Sequence, residues 1–182
     1  LYKYEEDRYG PVVVRFLSFK NDTEHNLGET PIPDGTLKVY RNTDQQKHLS
    51  YAGESSFKYI PVNEDVELNI GNVSDVVVEP KLMKLQTENY RYDSHGDIRG
   101  WDAIQTYQIE VRNTRDIAVK VEIKRNFSSP YWDLKNSGDF DKYEKEDLDT
   151  TKYTLELAPQ SKKVFSYVLR TYVGTRQESW QQ

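Results

Sequence analysis

Hydrophobic and polar residues alternate with a period of two along much of the chain. Between Tyr107 and Arg112, for example, Tyr107, Ile109 and Val111 are apolar and the residues between them are polar. Successive side chains of a strand point to opposite faces of a sheet, so this pattern predicts strands with one buried face. The inward positions predicted for the second half of the chain are Tyr107, Ile109, Val111, Ile117, Val119, Val121, Ile123, Tyr153, Leu155, Leu157, Phe165, Tyr167 and Leu169.

Two segments are apolar at consecutive positions, residues 11–19 (PVVVRFLSF) and 75–79 (DVVVE). Such runs predict central strands that are covered on both faces. Turn residues separate the strands, and the sequence Asn-Thr-Arg-Asp at 113–116 predicts a hairpin loop. No helical stripe extends over three turns, although residues 141–149 could form one or two turns of helix. We therefore expect an all-β fold of antiparallel sheets.

The middle of the chain, residues 86–103 (QTENYRYDSHGDIRGWDA), has no clean period and contains two glycines. We expect a connecting loop there and place a domain boundary within it. About five strands are predicted on each side of it. The prediction is two immunoglobulin-like halves, each resembling a β-sandwich, over residues 1–98 and 99–182. The second half, from about Ile104 onward, is expected to have its own core.

Composition narrows the class of protein. The chain has 182 residues, a formal net charge of −5, 14 Tyr, 6 Phe, 3 Trp and no Cys. The aromatic and β-branched content excludes a disordered chain. The negative charge argues against a nucleic-acid partner. No stretch approaches the roughly 20 apolar residues of a membrane-spanning helix. The chain begins at Leu1 rather than Met, which leaves open a processed or excised fragment.

Several blocks occur in an order and spacing that resemble a known family. The longer blocks are residues 31–41 (PIPDGTLKVYR), 63–79 (NEDVELNIGNVSDVVVE), 107–123 (YQIEVRNTRDIAVKVEI) and 164–170 (VFSYVLR). Over Val12 to Tyr172 the chain resembles domain-of-unknown-function family 4139, a family of predicted secreted prokaryotic proteins. The resemblance implies a β-rich, C-terminal part of a larger exported protein, located outside the cytoplasm, and it implies no reaction.

Two acidic clusters are the candidate metal sites. Asp93, His95 and Asp97 lie within five positions around Gly96, with Glu88 upstream and Asp102 downstream. Hard cations bind several oxygen ligands in such turns, but the spacing matches no EF-hand. The second cluster is Asp139, Asp141, Glu144, Glu146, Asp147 and Asp149, interleaved with Lys142 and Lys145. Runs of this kind are typical of solvated turns and faces, so we expect no metal and no cofactor.

Catalytic and sugar-binding signals are weak. The histidines, His25, His48 and His95, form no zinc motif, and no G-x-S-x-G elbow is present. The 30 acidic residues leave a glycosidase-like carboxylate pair open. Tyr90, Tyr92 and Trp101 in the mid-chain stretch, and Tyr131 and Trp132 later on, are candidates for stacking on sugars. In structural terms, the same aromatic residues are ordinary strand or core positions.

These patterns support three hypotheses in order. The first is a non-catalytic β-sandwich module that contacts a protein partner or the rest of its own chain, and residues 86–103 supply the contact. That stretch gathers Tyr90, Arg91, Tyr92, Arg99 and Trp101, and these residue types dominate binding hot spots. The second is a carbohydrate-binding module that uses Trp101 and the nearby tyrosines. The third is a hydrolase that uses a carboxylate pair.

Overall fold

The computed structural model describes residues 1–42 and 48–180 and consists mainly of strands. Strands account for 65% of the chain, which confirms the all-β prediction. No helix in the described ranges has the length and apolar character needed to cross a membrane. The helical segments are α1 (Glu6–Tyr9) and two short 3-10 turns, Thr23–His25 and Thr175–Ser179. The strands are β1 (Tyr2–Glu5), β2 (Val13–Lys20), β3 (Gly35–Asn42), β4 (Leu49–Phe57), β5 (Asp65–Val73), β6 (Val76–Tyr92), β7 (Ile98–Asn113), β8 (Val119–Asn126), β9 (Trp132–Gly138), β10 (Lys142–Lys145), β11 (Thr150–Leu157) and β12 (Ser161–Gly174).

The described strands form three sheets. A six-stranded sheet has the order β10-β11-β8-β1-β2-β5, a four-stranded sheet has the order β6-β7-β12-β9, and β3 pairs with β4 alone. Neighbouring strands are antiparallel, as predicted, with one exception among the described pairs. β1 runs parallel to β8, with Tyr2 opposite Val121 and Tyr4 opposite Ile123.

Side chains from both large sheets form one hydrophobic core. Tyr153 of β11 contacts Phe165 and Tyr167 of β12, with ring centroids 4.6 and 6.1 Å apart, although β11 and β12 belong to different sheets. The predicted alternation explains this core, since the inward positions of β7, β8, β11 and β12 supply most of it. Two positions of the inward prediction differ. Ile117 is 54% exposed because β8 begins only at Val119, and Tyr107 is half-buried.

A second, smaller core lies under the β3–β4 hairpin. Ile60, Val66 and Leu68 are its buried members, and Phe57 at the end of β4 packs against them. Gly53 of β4 has a φ of 145° and lies against β5, where a Cβ atom would be 2.5 Å from the Ile70 carbonyl oxygen. Only glycine tolerates that approach, so Gly53 allows the small sheet to dock on β5.

The mid-chain prediction is wrong. Residues 86–103 form no connecting loop, because they belong to β6 and β7, which pair from Val76 opposite Asn113 to Tyr92 opposite Ile98. The period-two signal is missing there for two reasons. Residues 81–90 are exposed on both faces of β6, and register shifts occur between Leu82 and Lys84 and between Glu88 and Arg91. An exposed strand has no apolar face, and a β-bulge reverses the side-chain alternation.

The predicted boundary at 98/99 falls at the start of β7, and both large sheets cross it. Strands from both sides of this position pair directly, as β6 does with β7 and β1 with β8. Tyr2, Tyr4 and Val13 belong to the same core as Ile109 and Leu155. The expectation of a separate core for the second half is therefore wrong, because long-range pairing joins the two parts.

Three local predictions also need correction. Residues 113–116 do not close a hairpin, because β7 and β8 lie in different sheets and the segment crosses between them. Residues 141–149 contain strand β10, Lys142–Lys145, instead of a helix, and β10 pairs with β11. Of the two consecutive apolar runs, β2 is an interior strand as predicted, whereas β6 lies at an edge of its sheet.

We expect Ile109→Asp to destabilise the protein by several kcal/mol, measured as the free energy of unfolding in urea. Ile109 is 0% exposed, so the variant buries a carboxylate without a partner. The matched control is Gln108→Asp, one residue away on the opposite, partly exposed face. We expect it to cost about 1 kcal/mol or less, as surface changes do. Equal losses in the two variants would contradict the inward and outward faces assigned to β7.

Candidate functional site

The turn between β6 and β7 contains the first group of predicted metal ligands. The Asp93 carboxylate accepts hydrogen bonds from the backbone N–H groups of His95 (2.9 Å) and Asp97 (3.0 Å) and from Arg99 Nε (2.7 Å). The bond from Asp97, with those from Arg99 and His95, lowers the pKa of Asp93. Asp93 therefore closes the turn with its own oxygens instead of offering them to a cation.

Asp102, which the same hypothesis assigned to a metal, lies away from this turn and is fully buried on β7. Its two oxygens accept hydrogen bonds from Arg176 (2.8 and 3.0 Å), Arg170 (2.8 Å) and Asn89 (2.8 Å). Glu88 lies opposite Asp102 in the strand pair and shares Arg170 at 2.9 Å. Two guanidinium groups repel a metal ion, so this arrangement is an ion-pair cluster that ties the C-terminal turn to β6 and β7.

Competing effects determine the ionisation of Asp102. Burial disfavours its charged form, but the hydrogen bonds from Arg176, Asn89 and Arg170 outweigh burial and lower its pKa to about 2. Arg91 adds a further bond to the C-terminal turn, from Nη1 to the Thr175 carbonyl oxygen at 2.8 Å. The cluster therefore fastens residues 175–179 at neutral pH.

The second acidic run is paired within β10 and its neighbours. Asp141 accepts from the backbone N–H of Glu156 and from Lys163 Nζ, and Glu144 is bonded to Lys142 and Lys152. Those two lysines lower the pKa of Glu144 to about 2. Within residues 1–42 and 48–180, no group of three or more His, Asp or Glu side chains has a metal-binding arrangement.

The predicted aromatic residues do not form one platform. Trp132 is buried and donates its Nε1–H to the Leu148 carbonyl oxygen, and Tyr131 packs edge-on against Trp180. Trp101 is partly buried on β7, whereas Tyr90 and Tyr92 are exposed near the end of β6, with ring centroids 6.4 Å apart. The sugar-stacking surface expected from Trp101 and its neighbours is thus divided among separate environments.

The histidines and carboxylates offer little for catalysis. His25 contacts Asp22 at 2.6 Å beside the first 3-10 turn, His95 lies in the β6–β7 turn, and His48 is exposed just before β4. Glu67 and Glu122 line one cavity together, and Lys3 forms ion pairs with both of them. These two carboxylates are therefore engaged by a shared cation instead of converging on open space.

The most prominent surface feature is the end of the β6–β7 hairpin, residues 81–100, which we call the arm. Its exposed apolar side chains are Leu82, Met83, Leu85, Tyr90, Tyr92 and Ile98, with exposed fractions between 42% and 61%. The outer edge of β6 pairs with no other described strand. The sequence signal for the arm is the cluster Leu82-Met83-Lys84-Leu85, which lies just before the segment predicted as the contact.

A cavity of about 370 Å³ lies beside the base of the arm, where the two sheets diverge. Gln105, Tyr107, Leu169 and Thr171 line it from the four-stranded sheet, and residues 125–128 at the end of β8 line it from the other. Arg125 is its central charge: Nε donates to the Tyr167 hydroxyl and Nη1 to Glu6, each at 3.0 Å. Sequence reasoning missed this site because its residues meet only when the two sheets pack.

Comparisons with family models, curated proteins and solved structures find no match for the chain. They leave the resemblance to family 4139 as a prediction.

We expect Asp102→Asn to change the pH dependence of stability. The native pKa of about 2 lies below the ordinary value of 3.8. Ionised Asp102 therefore stabilises the fold above pH 3.8, and this contribution is lost as the pH falls through 2. At about 1.4 kcal/mol per pKa unit it amounts to about 2 kcal/mol.

Urea unfolding at a series of pH values measures this contribution. Asp102→Asn is expected to lower the free energy of unfolding at neutral pH and to flatten its decline below pH 3.8. Asp97→Asn, an exposed carboxylate in the β6–β7 turn, is the control, and it should behave like the wild type. Indistinguishable pH profiles for wild type and Asp102→Asn would refute the role assigned to the cluster.

Proposed function

We propose that the chain is a non-catalytic module of an exported or envelope protein with an immunoglobulin-like β-sandwich architecture, and that it acts by contact with a protein partner. The architecture is supported by two sheets that share one core. The location outside the cytoplasm rests on the family resemblance. Contact with the rest of its own chain is the alternative occupant of the same surface.

The observation that carries the proposal is the set of exposed apolar side chains on the arm. Leu85 is 61% exposed and Met83 is 58% exposed, two positions apart on the same edge strand. Scattered apolar residues are ordinary on a protein surface, but a contiguous group on one element is typical of an interaction site. Tyr90 and Tyr92 extend the group toward the tip, and tyrosine is common among binding hot spots.

The contact is made through side chains more than by addition of a strand to the β6 edge. Pro80 has no N–H group to donate, and Lys81 and Lys84 place charges along the edge. The register shifts between Leu82 and Lys84 and between Glu88 and Arg91 interrupt the regular hydrogen-bonding row. These features protect edge strands from indiscriminate pairing, while leaving apolar side chains available on both faces.

The environment of the carboxylates supports a non-catalytic role over the hydrolase hypothesis. Cationic partners surround Asp102 and Glu144, and the pKa of each is lowered to about 2. A general acid needs a raised pKa, so neither carboxyl group suits that task. The Glu67–Glu122 pair is bridged by Lys3. The sugar-binding hypothesis based on Trp101 has no exposed platform at that residue to support it.

Site-specific photocrosslinking in the source cell tests the proposal. A crosslinking amino acid at Leu85 is expected to give one defined adduct with a second protein. The matched control is Leu148, which is equally exposed, at 60% against 61%, but lies outside the arm. Leu85→Asp should also remove an adduct formed from a crosslinker at Met83, without changing the melting temperature, because the side chain is exposed.

Three outcomes would count against a protein partner on the arm. They are no adduct at either position, equal adducts at Leu85 and Leu148, and an adduct at Leu85 formed only within the same polypeptide. The last outcome would assign the arm to the rest of the chain instead.

A further inference from the structure

We propose that the cavity beside Arg125 binds a neutral, hydroxyl-rich ligand, which makes it a carbohydrate site distinct from the protein contact on the arm. Its volume of about 370 Å³ falls within the roughly 300–1,000 Å³ of small-molecule pockets. The site is built by two sheets. Tyr107 and Gln105 of β7 share a face with Tyr167 and Leu169 of β12, their direct partners in the strand pair.

Arg125 supplies a fixed donor that the protein does not use fully. Its side chain is 13% exposed, and Nε and Nη1 are held by Tyr167 and Glu6. Nη2 makes no hydrogen bond within the described chain, and it is not among the buried unpaired atoms. Two bonds fix the guanidinium plane, so its free N–H groups are presented to the cavity without further loss of side-chain entropy.

Three uncharged groups complete the polar lining. Asn126 donates to Thr150 through Nδ2, which leaves its Oδ1 as a free acceptor, and the hydroxyl groups of Ser128 and Thr171 make no hydrogen bond with the described residues. A hydroxyl can donate and accept. The cavity therefore offers both roles within one site, which is what a ligand carrying several hydroxyl groups needs.

The charge balance favours a neutral ligand over an anion. Glu6 already pairs with Arg125, and Asp7 at the rim adds a negative charge. An incoming carboxylate or phosphate would meet two acidic groups against one guanidinium, whereas a sugar hydroxyl can donate to Asp7 and accept from Arg125. Phe127 and Leu169 provide apolar surface for the C–H face of a sugar ring.

Amide chemical-shift titration tests this site directly. The whole chain is titrated separately with glucose, galactose, mannose and N-acetylglucosamine, and with acetate and inorganic phosphate as anion probes. Concentrations reach about 10 mM, ten times a dissociation constant of about 1 mM. At least one sugar is expected to shift the amides of Gln105, Tyr107 and residues 126–128, and the anions are expected to leave them unchanged.

Two conservative variants identify the hydroxyl contacts. Thr171→Val and Ser128→Ala are each expected to weaken sugar binding about three- to tenfold, the effect of one neutral hydrogen bond. Their controls are Thr106→Val, on the opposite face of β7, and Ser137→Ala on β9, and neither residue lines the cavity. Both controls should bind like the wild type.

The proposal is overturned if no sugar shifts these amides, if phosphate or acetate shifts them more than every sugar does, or if test and control variants lose affinity equally. None of these results bears on the arm. Thr171→Val should leave crosslinking at Leu85 intact, and Leu85→Asp should leave the titration intact, so the two sites fail or succeed separately.

Discussion

The insertion of β1 between β8 and β2 is the constraint on which the rest of the structure depends. β1 has only four residues, yet it pairs in parallel with β8 and antiparallel with β2. It thereby joins β10, β11 and β8 to β2 and β5 in one sheet. Tyr2 and Tyr4 point into the main core beside Val121 and Ile123, and burial of each large side chain contributes roughly 2 kcal/mol. A parallel pair between residues so distant in sequence explains why no division of the chain near its middle corresponds to a folding unit.

A difference in strand length between the two sheets produces both candidate sites. β7 has 16 residues and β8 has eight, a difference of roughly 26 Å at about 3.3 Å per residue. The longer sheet continues past the shorter one, so the β6–β7 arm has no facing sheet and its side chains are exposed. The cavity at Arg125 lies where the shorter sheet ends. The ion pairs of Asp102 with Arg170 and Arg176 hold the C-terminal turn against the base of the arm.

Local pattern predicted the strands that bury one face, and it could not predict how they pair. Ile109, Val121 and Leu155 alternate with polar neighbours, and each lies in the core as expected. The arm escaped notice because a strand exposed on both faces has no apolar period. The crossing at 113–116 has the composition of a hairpin loop, and only long-range pairing distinguishes the two. Arg125 looked like an ordinary polar position on β8, because its partners Tyr167 and Glu6 are distant in sequence. The family resemblance predicted β structure correctly at the level of fold class, and what it implies about export stays a prediction.

Native-state hydrogen exchange of the whole chain tests most directly whether the two sheets form one cooperative unit around β1. The backbone amides of Tyr4, Val121 and Ile109 sample β1, β8 and β7. A single unit predicts the same free energy of opening for all three, equal to that of global unfolding, since β1 links the sheet and core that protect them. A lower value for Tyr4 than for Val121 and Ile109, shared by other core amides before residue 98, would contradict a single cooperative unit and restore two separately folding halves.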